Sequence, residues 1–128
     1  MSLTNAFETH TLNYLLTTGS VTRPTTWYIG LFTSDPTDTG IAGTEVSGFS
    51  YARTAVTFSV AADVASNTAG VEFPAASGGN WGTIGWIGIM DAASGGNMII
   101  HSALTVAKAI NDGDVFRIPT GDLDITAS

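Results

Sequence analysis

The chain has 128 residues, of which 44% are hydrophobic and only 12% charged, and it contains no cysteine. That length fits one domain spanning residues 1–128, able to take about two thirds of its unfolded surface from water without a disulfide or metal staple. A net charge of -7 with four basic residues, Arg23, Arg53, Lys108 and Arg117, scattered along the chain, excludes the clustered cations of a nucleic-acid surface.

The absence of cysteine excludes disulfides, thiolate metal sites and thiol catalysis, and fits assembly in a reducing cytoplasm. No run approaches the ~18 apolar residues of a membrane span. Met1 to Glu8 lacks the basic and apolar regions of a secretory leader. The charged share is about half the usual one, which points to a surface partly covered by neighbours.

In chain order, the first predicted element is a helix over Leu3 to Leu16, within an N-terminal segment 1–19. Thr4, or Asn5 with Glu8 as a capping box, would start it, and Gly19 would stop it. Leu3, Phe7 and Tyr14, flanked by Ala6 and Leu15, form an apolar stripe that must pack on the subunit's own sheet or on a neighbour. Ser20 to Thr26 is a linker made extended by Pro24, and Trp27 to Thr33 is a central strand with apolar residues on both faces. Ser34 to Ser47, with Pro36, Gly40 and Gly43, reads as an exposed loop.

Ala52 to Val60 alternates cleanly, which predicts one strand burying Val56, Phe58 and Val60. A polar loop at Asp63 to Asn67 follows, then a short strand from Gly70 to Pro74 with Val71 and Phe73 inward. Ala75 to Asn80 leads into the element around which the chain is organised. Two apolar runs, Ile84 to Met90 and Met98 to Leu104, flank Asp91-Ala92-Ala93-Ser94-Gly95-Gly96-Asn97, the pattern of a β-hairpin. Strict alternation puts Ile84, Trp86 and Met90 on one face and Ile87 and Ile89 on the other. Asn111 to Asp114 is a turn, and Val115 to Ile118 and Leu123 to Thr126 are two strands, or one interrupted at Pro119 to Asp122. The whole predicts an all-β protein, an antiparallel β-sandwich of about seven strands with one N-terminal α-helix.

Little in the chain points to chemistry. Of the two histidines, His10 falls in the helix and His101 in a hairpin arm, and neither has a serine at a diagnostic spacing. Asp122 and Asp124 share a strand face and Asp112 and Asp114 a turn, but without the register of a calcium loop, so no metal is assigned. Gly78, Gly79, Gly82, Gly85 and Gly88 do not form a phosphate cradle. Trp86 reads as core, while Trp81 at a loop margin is the tryptophan available for a surface role. No catalytic residue and no cofactor are assigned; the residues assigned to a partner interface are Phe7, Tyr14, Phe49 and Trp81.

Five blocks in succession, MSLTNAFETHTLNYLL, WYIGLFTSDPTDTG, GTEVSGFSYARTAVTFS, VEFPAASGGNWGTIGWIGIMDAASGGNMIIHSALT and GDVFRIPTGDLDIT, carry a family resemblance. They resemble a small tail-fibre protein family of tailed bacteriophages and prophages, across nearly the whole chain. The resemblance implies a non-enzymatic virion component whose partners are other virion proteins and copies of itself. A homo-oligomer is expected, with a trimer favoured, and neither nucleic acid nor membrane as partner. Two other readings stay open: a capsid cement or decoration protein bracing the shell, and a carbohydrate-binding module that uses Trp81.

Overall fold

The computed structural model describes residues 2–127. Its elements are β1 (Ser2–Leu3), α1 (Asn5–Leu16), β2 (Tyr28–Phe32), β3 (Thr54–Ala55), β4 (Phe58–Ala61), β5 (Val64–Asn67), β6 (Val71–Glu72), β7 (Gly82–Met90), β8 (Met98–Ile110), β9 (Arg117–Ile118) and β10 (Asp124–Thr126). The strands pair antiparallel in three sheets, β1-β8-β7-β2-β3, β10-β5-β4 and β6-β9. The architecture is all-β and sandwich-like with one helix, as the alternation and turn spacing predict. Among the described residues there are ten strands rather than about seven, because β1, β3, β6 and β9 are ladders of two residues each, too short to leave a periodic signal. No described helix is long and apolar enough to cross a membrane.

The expected hairpin is β7 and β8. Its turn closes on itself, since Asp91 Oδ1 accepts the Asn97 N–H at 2.7 Å and the Asp91 N–H donates to the Asn97 carbonyl at 3.0 Å. The ladder shifts register at two places, between Ile84 and Trp86 and between Ile89 and Met90, and strict alternation of faces fails at the first. Ile84 pairs with Lys108 but Trp86 pairs with Ala103, so β8 accommodates extra residues between these rungs and the ladder slips. A bulge of this kind bends the strand and redirects its side chains. Ile84 consequently joins Ile87, Ile89 and Ile99 in the main core, and Trp86 goes with Phe32, Met90 and Met98 to a smaller cluster. Gly88 leaves the space that the Met98 side chain and the Phe32 ring occupy, because a Cβ there would collide with both.

The main core joins Ile29 and Leu31 of β2 and the hairpin isoleucines to Val71, Phe73, Phe116 and Leu123, with Ile118 and Ile125 packed beside them. Phe73 is enclosed by Trp81 and Phe116, both edge-on to it. The predicted strand over Ala52 to Val60 is instead two pieces. Val56 N–H donates to the Trp27 carbonyl at 3.0 Å, ending β3 beside β2, and the chain then crosses to β4 in the second sheet. Val56 is buried and Phe58 packs half-buried on the core, but Val60 stands out in solvent at 73% exposure. The polar loop expected at Asp63 to Asn67 is β5, the middle strand of its sheet, pairing with both β4 and β10. The Ser34 to Ser47 loop is anchored rather than free, since Val46 N–H donates to the Leu31 carbonyl and Val46 is buried. The C-terminal option realised is that of two strands: β9 pairs with β6, and β10 with β5 in another sheet.

Candidate interaction surface

The four residues assigned to an interface separate into two inside and two outside. Trp81 is buried at 5% exposure, its ring edge-on to Tyr51 with centroids 5.3 Å apart, and its Nε1–H donates to the Phe49 carbonyl at 3.0 Å. It is therefore a core residue with a satisfied polar atom, in contrast to its expected place at the surface. Phe49 covers it from a strained position. Phe49 and Ser50 both have positive φ, 52° and 66°, which L residues adopt only when their surroundings impose it. The Phe49 ring lies over Gly79, where a Cβ would sit 2.6 Å from it, and its outer side is half exposed.

Sequence reasoning missed the polar cluster beneath this loop. Glu45 takes a two-pronged bond from Arg53, Nε to Oε2 and Nη2 to Oε1, both at 2.8 Å, and accepts the Tyr51 hydroxyl proton at 2.6 Å. Tyr51 Oη accepts the Leu31 N–H at 3.0 Å. The Arg53 Nη1 donates to the carbonyls of Ala92 at 2.9 Å and Gly95 at 2.8 Å, tying the hairpin turn to the loop. The Arg53 and Glu45 side chains are 10% and 24% exposed, so this is a half-buried, two-pronged ion pair. Burial, then the bond to Glu45, pushes the Tyr51 phenol far above its ordinary range, and the bond to Glu45 raises the Arg53 guanidinium. The usable signal was Arg53 standing on an otherwise apolar and hydroxylic strand pattern, a charge with no partner nearby in sequence.

The histidines and aspartates are held in separate places. His101 Nε2 lies 2.9 Å from Asp38 Oδ1, linking β8 to the loop before β3, and the same Asp38 carbonyl accepts the Asn5 N–H. His10 packs edge-on against Phe7 in α1. Asp112 accepts the Gly78 N–H, Asp114 the Asn111 N–H, and Asp124 the Ser66 hydroxyl. Each of these three carboxylates thus braces a turn or a rung. Among the described residues no three His, Cys, Asp or Glu side chains group as a metal site.

The helix α1 is attached by its first turn. Thr4 N–H donates to the Ile99 carbonyl, Thr4 Oγ1 to the Met98 carbonyl at 2.7 Å, and Asn5 N–H to the Asp38 carbonyl. Thr4 is the N-cap, but its hydroxyl is spent on β8 instead of a helix amide, so no capping box forms; Leu3, expected in the helix, pairs with Ile100 in β1. The chain leaves the helix at Thr17, two residues before the glycine expected to stop it. Phe7 is buried in the subunit's own core, whereas Tyr14, assigned to the same stripe, is 75% exposed. Leu12, Leu15 and Leu16, spaced i, i+3, i+4, are exposed with it, so the second half of the helix offers an apolar surface to solvent. Beside it runs a groove of ≈ 760 Å³ between α1 and the second sheet, lined among others by Leu3, Leu15, Val60, Ala65, Ile100 and Ile125.

No curated protein matches the chain. The family model described as Podophage GP4 fiber I protein gp80 matches residues 2–126, in line with the tail-fibre resemblance of the sequence blocks, and the chain belongs to that family.

Proposed function

We propose that the protein is a non-enzymatic building subunit of the fibre apparatus on a podophage tail, made in the host cytoplasm and working as a homo-oligomer, most simply a trimer, of one-domain subunits. The observation that carries this reading is the family match over residues 2–126, which makes the chain a phage structural protein that meets other virion proteins. The side-chain chemistry supports it: the Glu45, Asp91, Asp112, Asp114 and Asp124 carboxylates are engaged in bracing the chain itself. The exposed apolar half of α1 supports self-association. With Trp81 in the core, no observation favours the carbohydrate-binding reading.

Quantitative mass spectrometry of purified virions tests the placement. The protein should be present at no more than dozens of copies per particle and should leave with detached tails. Hundreds of copies remaining on tailless heads would overturn the fibre placement in favour of a capsid cement.

A further inference from the structure

The subunit exposes 7218 Å², whereas a folded monomer of 13.2 kDa exposes about 6400 Å². The chain thus exposes about 800 Å² more than a folded monomer of its mass ordinarily does, an area of the order one partner covers in an interface of standard size. Beyond Phe7 and His10 the residues of α1 are all exposed, and Leu12, Leu15 and Leu16 share one apolar side of its second half, with Tyr14 on another. Next to this convex ridge lies its concave counterpart, the groove walled by Leu3, Val60, Ala65, Ile100 and Ile125. A volume of ≈ 760 Å³ has room for several leucine-sized side chains.

We infer that the second half of α1 of one subunit seats in this groove of a second copy. The ridge and the groove are carried side by side on one chain, Leu15 standing in both, and Leu16 and Val60, at 76% and 73% exposure, stay uncovered. Neighbouring copies supply the missing halves, one giving a groove for the ridge and the next a ridge for the groove. Apolar surface is the suitable contact for such a self-pairing, because each chain carries a net charge of -7 and a polar contact between copies would set carboxylates against carboxylates. Among the described residues lining the groove the acidic side chains are Glu8 and Asp63, with no Lys or Arg beside them to draw in an acidic partner. Ridge-into-groove contacts between different patches are heterologous, and a rotation that closes produces a ring, of which a trimer is the smallest beyond a pair. The inference rests on the proposed self-association and deepens it by naming the surfaces.

The test uses the full chain. Light scattering over a concentration series should show an oligomer for the native protein, and Leu16→Glu and Val60→Lys should each raise its dissociation constant about 100-fold, the loss expected when a leucine-sized contact is replaced by a charge in an apolar seat. Both positions are exposed in the subunit, so the thermal midpoint of the dissociated variants should match that of the native chain diluted until its copies are apart, which separates lost docking from lost folding. Because the native chain has no cysteine, mixing Leu16→Cys with a differently tagged Val60→Cys and oxidising gives an unambiguous readout: the 16-to-60 disulfide between chains should dominate over 16-to-16 and 60-to-60. An oligomer that survives both charge substitutions, or cross-links mainly 16-to-16, overturns the helix-in-groove contact and leaves self-association standing by another face. A native chain that stays monomeric at every concentration overturns both, without touching the virion placement, which mass spectrometry decides.

Discussion

The loop around Glu45 to Arg53 and the second half of α1 treat water in opposite ways. In the loop the chain half-buries a carboxylate, a guanidinium and a phenol, and supplies a partner for each from Leu31, Ala92, Gly95 or one another. In the helix the chain exposes three leucines and a tyrosine and supplies no cover. A satisfied buried network costs desolvation but admits few alternative arrangements, so it fixes the relative positions of the turn, the loop and Trp81. An uncovered apolar ridge adds nothing to the fold of its own subunit and is useful only to something that meets it. The contrast teaches that in this protein polarity marks what holds the subunit together and apolarity on the outside marks what joins it to others. Substitutions in the first region should therefore change stability, and those in the second should leave stability alone.

The sharpest way to break that division is at Trp81. Trp81→Ala empties the space beside Tyr51 and Phe73 and removes one of the two donors to the Phe49 carbonyl, the other being the Ser77 N–H, and should cost about 4 kcal/mol in urea unfolding. A loss under 1 kcal/mol would mean that the ring is dispensable to the core. Next comes Glu45→Ala, which leaves the half-buried Arg53 guanidinium without its counter-charge and should cost about 2 kcal/mol. Hydrogen exchange should quicken around Arg53 and in the Asp91 to Asn97 turn that Arg53 holds; unchanged exchange there would show that the turn stands by its own Asp91 bonds.

Alkali probes the same cluster. Tyr51 is held neutral in the folded chain, first by burial and then by its bond to Glu45, so its folded pKa is raised above the unfolded value near ~10. Above that unfolded value the unfolded chain gives up the phenolic proton while the folded chain keeps it, so fewer protons are bound on unfolding and stability falls as pH rises. Stability should hold level from neutrality to about pH 10 and then decline. Tyr51→Phe should be less stable at neutrality but lose less than the native chain between neutrality and strong alkali. An equal decline in both would assign the alkaline loss elsewhere.

The parts of this fold that were legible in the sequence are those with local causes. Asx and glycine residues between two apolar runs specify the β7–β8 hairpin because the turn bonds its own backbone at Asp91 and Asn97. The parts that were not legible depend on partners far along the chain. Leu104 to Ala107 are apolar or β-forming throughout, so nothing marks the slip in register between Ile84 and Trp86, and Ile84 goes to the face opposite the one that alternation assigns. The alternation from Ala52 to Val60 suits one long strand or two short ones equally, and the carbonyl of Trp27 decides between them. The stripe on α1 had the right period, but periodicity does not say how far a helix stays in contact with the sheet. Only the first turn does, which is why Phe7 is inside and Tyr14 outside. Trp81 looked superficial beside its glycines, yet Gly79 is small because the Phe49 ring lies on it.

Gly79→Ala is accordingly a smaller test of the loop region. The new methyl would have to displace the Phe49 ring, a side chain that can shift at its outer edge, so the expected loss is about 1 to 2 kcal/mol. Tryptophan fluorescence should report it, since the Phe49 carbonyl accepts the Trp81 N–H. A silent substitution would show that the ring is free to leave and that the positive φ at Phe49 is imposed by other contacts.

The smallest expected effect carries the other half of the comparison. Leu12→Gln together with Leu16→Gln keeps residues of nearly equal helix propensity and, because both leucines stand in solvent, removes no contact on which the subunit's core depends. Unfolding of the separated subunits should change by less than about 0.5 kcal/mol, the range of ordinary surface substitutions. The measurement must be made at concentrations where the chains are apart, since an oligomer lends its binding free energy to the apparent stability of its members. A loss above about 1 kcal/mol under those conditions would put the two leucines to work inside their own subunit. The ridge would then be part of the fold, and the line between what holds the chain together and what joins it to others would have to be drawn elsewhere.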